Sequence, residues 1–393
     1  MESQANPRAA DLARRTEEFV RTEIFPLEAG LHHGALADTE LNRLRRKAKE
    51  QRLWAPQLPA DLGGQGLDLC EAAGVLEAAG LSLLGPLALG CAAPDEGNAH
   101  LLHRAGSAAQ KAAYLSPLAA GEIRSTFCMT EPAPGAGSDP TMMRTRAVRG
   151  GGGWTLDGDK WFATGAAGAR FAIVAAVSDP EAPPKRGITL FIVETGTPGF
   201  EIEREIQLLG GATPGGHCKI RLRSCRVSEG AVLGAPGEGF RLMQERLGPA
   251  RLTHCMRWLG AARRSLEISA RRATERAAFG KPLAEHQAVE WMLADSAIDI
   301  HASRALVAEA AAKIARGGEA RVETSICKVF VAEAVNRVID RAIQICGALG
   351  LTTDLPLAHF YQEARAFRIY DGPSEVHRMV IARSVLRGEL HKV

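Results

Sequence analysis

The sequence predicts an α+β protein built in series: helices over about 1–125, an antiparallel β unit over 126–235, and helices again over 236–393. Three observations lead there. Apolar residues recur at helical spacing toward both ends. Between them, short strand-like runs follow one another with glycine- and proline-containing turns and no helix. The final third holds two long, largely apolar helical stretches, each ended by glycines. A chain of 393 residues is also longer than one ordinary core organises, which suits two or three domains.

In the first segment, AADLARRTEEFVRTEIF reads as a helix stopped by Pro26. DTELNRLRRKAKEQRL opens with Asp38-Thr39-Glu40, an expected N-cap and acidic first turn. PADLGGQGLD, Pro59 to Asp68, is a glycine-rich turn, and CEAAGVLEAAGLSLL and SAAQKAAYLSPLAAG add further helix. In the middle segment, Asp157-Gly158 inside GWTLDGDKWFATG carries the signal of a type I′ hairpin. FAIVAAVS, GITLFIVE, FEIEREI and CKIRLRSCRV are strands separated by turns such as PEAPPKRG, a succession that predicts an antiparallel barrel or sandwich. In the last segment, Val289, Leu293, Ile300, Val307 and Ile314 share one face of a helix ended by Gly317-Gly318. A second long helix, RVETSICKVFVAEAVNRVIDRAIQICGALG, ends around Gly347 and Gly350. Helices of this kind build a bundle, and their apolar faces invite oligomerisation.

Composition narrows the functional classes. Lys+Arg 48 against Asp+Glu 45 leaves a net charge of +3, too balanced to make nucleic acid the expected partner. Basic clusters such as LNRLRRK read as solvated helix faces. No apolar run is long enough to span a bilayer, and the polar N-terminus lacks the apolar core of a secretory signal. The eight cysteines include no C-x-x-C pair, so neither a zinc nor a thioredoxin-type site is expected. They read as free core thiols of a cytoplasmic protein. His32-His33 is no metal pair either, because neighbours on a helix point in different directions.

Specific chemistry begins at FCMTEPAPGAGSD, Phe127 to Asp139. This stretch resembles the flavin-contacting strand and loop of the acyl-CoA dehydrogenases. Other matches follow the family's order along nearly the whole chain: PADLGGQGLD, GDKWFATGA, ERAAFGKPLAEHQAV, QICGALG and RIYDGPSEVHRMVIARS. The resemblance implies a middle β-barrel, a C-terminal four-helix bundle and FAD as cofactor, bound non-covalently between subunits of a homodimer or homotetramer. It implies that Phe127, Met129 and Thr130 line the flavin, with Thr130 toward N5. Ser138 would approach the flavin pyrophosphate or the CoA pantetheine. Phe162 stands where the family usually has Trp, flat on the flavin, and Thr164 follows it. Arg276, Phe279 and Gln287 resemble the set that reaches the FAD of a neighbouring subunit, Arg276 being a suitable cation for a pyrophosphate. Gln344, Gly347 and Ala348 match the turn along the adenosine half, with Ala348 replacing a Gly. Pro373 and Glu375 match two further FAD contacts but replace a Thr and a Gln, which weakens the carry-over there.

The implied reaction is α,β-dehydrogenation of an acyl-CoA thioester, with electrons passed on to an electron-transfer flavoprotein. A weakly acidic α-proton calls for a base whose pKa is raised by burial, and the developing enolate needs hydrogen-bond donors at the thioester oxygen. Asp371 stands where most members have Glu. Read alone, it serves equally well as an N-cap for SEVHRMVIARS; Ser374 offers the same cap. Some members keep the base on a helix of the third domain, but the matching position here is Ala250. Arg251 matches an Arg kept at the pocket, and Gly372 permits close approach of substrate. Asp is shorter than Glu by one C–C bond, about 1.5 Å, so backbone or substrate must come closer. DGPSEVH and CAAPDEGNAHLLHRAGSAAQKAAYLSPL resemble the branch whose animal members carry an added kinase-like domain and use Asp as base. Asp95 and Asn98 lie in a stretch that approaches the acyl pocket, or cap a loop-to-helix junction. Two other readings stand beside the dehydrogenase: a flavin oxidase acting on a non-CoA substrate such as a nitroalkane, and a flavin-binding protein without turnover that associates with DNA.

Overall fold

The computed structural model describes residues 6–28, 37–209 and 215–389; the His32-His33 pair lies outside them. The N-terminal helices are α1 (Pro7–Phe19), α2 (Phe25–Glu28), α3 (Asp38–Glu50), α4 (Leu69–Ala79), α5 (Gly85–Ala88), α6 (Asp95–Ala105), α7 (Ala108–Gln110) and α8 (Ser116–Ala119). Pro26 does not stop the first helix. A widened π turn over Val20–Ile24, in which the Phe25 N–H reaches back to the Val20 carbonyl, carries the chain into α2. The extra width spares the carbonyl that the proline ring would otherwise strike. Asp38 is not the N-cap expected of it. Ala37 holds that position without a side-chain bond, and Asp38 and Glu40 place negative charge in the first turn. The glycine-rich stretch ends in a capping box, Asp68 with Glu71, that starts α4.

Eight strands form the middle unit: β1 (Ser125–Cys128), β2 (Arg146–Gly150), β3 (Gly153–Thr164), β4 (Phe171–Val177), β5 (Ile188–Glu194), β6 (Phe200–Glu205), β7 (His217–Ser228) and β8 (Val232–Leu233). Their order is β6-β7-β3-β2-β4-β5-β8, with β1 added beside β4. The pairing is antiparallel apart from β1–β4 and a single β2–β4 bridge, which are parallel. Asp157-Gly158 is not the hairpin. β3 runs straight through it with a shift of register, and Asp157 Oδ1 accepts the Ser224 N–H instead. The turn lies at Gly151-Gly152, where φ of +61° and +78° suits two adjacent glycines in a type I′ hairpin. One sheet face packs Phe171, Ile173 and Leu190 against Leu101, Leu102 and Leu115 of the preceding helices. The other closes on itself through Leu156, Val174, Phe191 and Ile220.

Five helices follow: the long α9 (Gly239–Glu275), α10 (Gln287–Ala315) and α11 (Arg321–Cys346), then the shorter α12 (Leu357–Phe367) and α13 (Ser374–Leu386). A small hairpin, β9 (Ala277–Ala278) and β10 (Lys281–Pro282), joins α9 to α10. Ile300 and Val307 of the expected α10 stripe are buried, while Val289, Leu293 and Ile314 are half-buried. The first and last helical segments share one core, in which Phe19, Leu44 and Leu76 pack with Leu252, Met256, Val331 and Phe360. α4 and α9 touch backbone to backbone. A Cβ on Gly80 would stand 1.9 Å from the Arg257 carbonyl oxygen, and one on Gly260 would stand 2.1 Å from that of Glu77. Seven cysteines are buried, Cys70 is exposed, and none is in a disulfide. Among the described residues, no helix is long and apolar enough to cross a membrane.

The α4–α9 contact leaves no room for a methyl group. Gly260→Ala is expected to lower stability by about 1–3 kcal/mol in thermal or urea unfolding, whereas Gly196→Ala, which meets nothing within 4 Å, should leave the midpoint unchanged.

Candidate active site

Between α12 and α13 the chain passes α9 and α11 in a short loop that carries Asp371. This residue has φ +56°, a conformation uncommon for a residue with a side chain, and Gly372 follows at φ +99°. Three neighbours hold the loop by its carbonyls. Arg251 Nε of α9 donates to the Asp371 oxygen at 2.8 Å, and His377 Nε2 of α13 stands 3.2 Å from the same atom. The buried Lys328 of α11 donates to Phe367 O at 2.5 Å and reaches Gly372 O at 3.4 Å. The Asp371 and Gly372 N–H groups donate to no described residue.

The Asp371 side chain, 18% exposed, turns inward rather than onto α13. It caps nothing: α13 begins after Pro373 without a side-chain cap, and Ser374 instead donates to Glu333 at 3.2 Å. Both capping expectations therefore fail, because the left-handed backbone at Asp371 points its carboxylate toward α9. There Oδ2 lies 3.2 Å from His254 Nε2, off the line of a hydrogen bond and with no other partner. Burial pushes the Asp371 carboxyl up, but His254, Arg246, Arg251 and Lys328 pull it down, and the net position is below the usual carboxylate value. The expected raised pKa is not found. The sequence places the acid in an apolar pocket; the fold lines that pocket with basic side chains. His254 is held neutral by burial, down at about 3, and burial lowers Lys328 to about 8. Ala250 is buried on the same helix and brings no carboxylate, and Glu245 pairs with Arg241 and Arg104 instead.

Beside this loop, β1 runs out along the end of β3. The Trp161 N–H donates to Thr130 O at 3.0 Å, and Thr126 Oγ1 to Thr164 O at 2.8 Å. These bonds bring Met129, Thr130, Phe162 and Thr164 together at one partly open place on the sheet. Phe162 is 44% exposed at φ +52°, and Thr164 Oγ1 lies 3.0 Å from His217 Nδ1. A half-exposed aromatic ring flanked by hydroxyls and main-chain polar groups fits a flat heteroaromatic ligand such as a flavin. Phe127, half-buried, lies under the Arg246 guanidinium at 4.1 Å and packs on the same core as Met129. The loop carrying Ser138 is anchored by a pair that sequence reading passed over. Lys160, fully buried, binds Glu131 at 2.8 Å, and Glu131 accepts from the N–H groups of Ala136, Arg144 and Thr145. Asp95 and Asn98 belong to a buried network rather than a helix cap: both bind Ser125, and Asn98 accepts from Arg246 Nε at 2.8 Å.

Other expected residues lie elsewhere. Arg276 is 25 positions beyond Arg251 on α9 and its C-cap, about 37 Å along a helix. With Phe279, 97% exposed, and Gln287 it forms an outward knob at the β9–β10 hairpin. Gln344, Gly347 and Ala348 are exposed at the far end of α11, and Glu375 points outward from α13. A single chain thus gathers Asp371, Arg251, Gly372 and Pro373 but not the distal cofactor set. Arg246, His254, Lys328 and Lys160 were missed because each is an ordinary basic residue in sequence; the one signal was a repeated placement of basic side chains at helical spacing from 246 to 257.

Models of the acyl-CoA dehydrogenase N-terminal, middle and C-terminal domains match residues 6–122, 126–225 and 237–386. "Probable acyl-CoA dehydrogenase FadE2" of Mycobacterium tuberculosis is 39% identical over 99% of this chain and 98% of its own length. "Acyl-CoA dehydrogenase family member 11" of Homo sapiens is 36% identical over 90% of this chain, which covers 46% of that longer protein. A solved structure from Mycobacterium abscessus superposes with a TM-score of 0.93 at 39% identity, covering 98% and 99% of the two chains. The butyryl-CoA dehydrogenase of Megasphaera elsdenii gives 0.86 at 27% identity, over 98% and 100%. With all three family domains matched in order, the chain belongs to the acyl-CoA dehydrogenases, FAD-dependent oxidoreductases.

Proposed function

We propose that the protein converts an acyl-CoA thioester to its trans-2-enoyl-CoA, with Asp371 as the base, and that its electrons leave to an electron-transfer flavoprotein. The observation that carries the reading is Asp371 itself: a carboxylate with an unpartnered buried oxygen, fixed at a left-handed backbone position and surrounded by cations. FAD bound at the β1–β3 edge would supply the acceptor for the β-hydride. Met129, Thr130, Phe162 and Thr164 would hold its ring, and Gln344, Gly347, Ala348, Pro373 and Glu375 would lie along its length. Arg276, Phe279 and Gln287 would complete a neighbouring subunit's site, in keeping with a Phe left 97% exposed on a knob.

The chain's own residues account for the proton chemistry. The α-proton passes to the Asp371 carboxylate, whose low pKa keeps it ionised and ready. The free N–H groups of Asp371 and Gly372 are suited to the thioester oxygen, where enolate charge develops. Arg251, His377 and Lys328 hold the carbonyls of this turn, so its N–H groups keep one direction. A cavity of about 490 Å³ supports CoA as the handle. Its walls include Lys185, Arg321 and Arg383, which form no ion pair among the described residues, and a CoA nucleotide carries phosphates suited to them. Arg383 lies nine residues along α13 from Ser374, about 13 Å, a span that pantetheine bridges.

An anaerobic screen of acyl-CoAs against the flavin absorbance tests the reading directly; an enzyme that no acyl-CoA bleaches would not be this dehydrogenase. Asp371→Asn should retain FAD and slow bleaching about 10²–10⁴-fold. Arg321→Ala and Arg383→Ala should each raise KM for an acyl-CoA about tenfold, with kcat unchanged and no effect on the pantetheine thioester. Because Asp371 is held below the usual carboxylate value, its activity is lost only as pH falls through that low pKa. A profile of kcat/KM should therefore show no acid limb between about pH 5 and 8.

A further inference from the structure

Asp371 is a short base with a loose oxygen, and one side chain answers both problems. His254 lies on α9 with its ring edge 3.2 Å from Asp371 Oδ2 and its side chain 15% exposed. The ring is wedged in place: the Tyr370 centroid is 4.9 Å away and the Phe367 centroid 6.3 Å. Tyr370 is fixed in turn by a 2.6 Å bond from Trp258 Nε1. His254 makes no hydrogen bond through its side chain among the described residues, and Asp371 Oδ2 is the acidic oxygen that faces its Nε2.

Resting on the acyl-CoA reading above, we propose that His254 is a positioning residue for Asp371: it backs the carboxylate through Oδ2 and presents Oδ1 to the substrate α-carbon. A carboxylate one methylene shorter than Glu reaches the same carbon only if it cannot swing back toward α9. The imidazole occupies the space into which it would swing. A small rotation of either group brings Nε2–H onto Oδ2, the kind of tightening that accompanies substrate binding. The bond engages the oxygen that does not receive the proton, so the two oxygens become inequivalent. Cations alone do not do this. Arg246, Arg251 and Arg257 of α9 and Lys328 of α11 act on Asp371 or His254 through space, and Arg251 and His377 bind the loop carbonyl rather than the carboxylate. Arg257 is itself committed to Glu96 of α6 at 2.5 Å.

The arrangement also makes His254 a neutral donor. Burial and the nearby arginines oppose its protonation, so it supports the Asp371 carboxylate without adding a titration of its own near neutral pH. Removing it leaves the carboxylate less stabilised. The Asp371 pKa then rises, and the acid limb of the rate profile moves up toward the measurable range.

The experiment uses the FAD-loaded enzyme and whichever straight-chain acyl-CoA bleaches the wild type. His254→Ala is expected to slow anaerobic bleaching about 10- to 100-fold. KM, and the affinity for a non-reacting CoA thioether read by calorimetry, should stay within about twofold, and the acid limb should move to higher pH. His254→Gln, which keeps an N–H donor, should recover most of the rate and the original limb. Wild-type rates and an unmoved acid limb in His254→Ala would overturn the proposal, as would a loss matched by lost FAD or by weaker thioether binding. His254→Gln no better than Ala would do the same. A wild type that no acyl-CoA reduces overturns the acyl-CoA reading instead, an outcome visible before any variant is made.

Discussion

The close packing of α9 against α4 is the constraint on which the rest of the molecule depends. Two glycines, Gly80 and Gly260, let the backbones meet without an intervening side chain. That contact draws the N-terminal helices and the C-terminal bundle into one core. It also fixes the axial position of α9, whose 37 residues run from the sheet edge to the β9–β10 hairpin. Helical spacing then does the rest. Arg246, Ala250, Arg251, His254 and Arg257 follow one another at intervals of one to four residues, and the helix delivers them to one end of the same core.

Burying so many basic groups is costly unless each finds a partner. Arg257 has Glu96 and the Cys91 carbonyl, Arg246 has Asn98 and the Phe127 ring, and Arg264 has Glu28. Lys328 spends its hydrogen bonds on main-chain carbonyls. Asp371 differs from these, a carboxylate with basic groups around it but no hydrogen bond on Oδ2. A stability-driven design would satisfy that atom. That open oxygen, on a backbone held at positive φ, is the feature on which the proposed base role rests. The Lys160–Glu131 pair is the contrasting case: a buried ion pair, fully bonded, that shapes the loop from Glu131 to Thr145.

The proposed reaction calls on two surfaces besides Asp371. The β1–β3 edge offers a ring-sized surface, and Lys185, Arg321 and Arg383 offer positive charge one helix length away. Under the proposed reaction, Asp371, held low rather than high in pKa, would act as a weak base in a preorganised place, and an apolar acyl chain that removes water would weaken the screening of its neighbours.

Much of this was legible in the sequence. The succession of helical, strand and helical periods gave the layers, and the ordered motifs gave Asp371, Thr130 and Phe162 as candidates, because local spacing and short motifs are properties of the chain itself. Boundaries failed where a local signal had two outlets. Asp157-Gly158 could turn or bulge, and pairing with β7 made it a bulge; Pro26 could end a helix or widen it, and the core under α1 kept it going. The capping question at Asp371 and Ser374 was of the same kind, since either side chain suits a helix start until the loop's backbone angle is known. The charge environment was beyond reach altogether. Arg246, Arg251, His254 and Lys328 come from two helices separated by some seventy positions, and only their packing sets a carboxylate among them. Sequence alone marked Asp371 as the candidate base; tertiary structure decided where its carboxylate points and which basic groups surround it, because electrostatics depends on distances through space that no local pattern encodes.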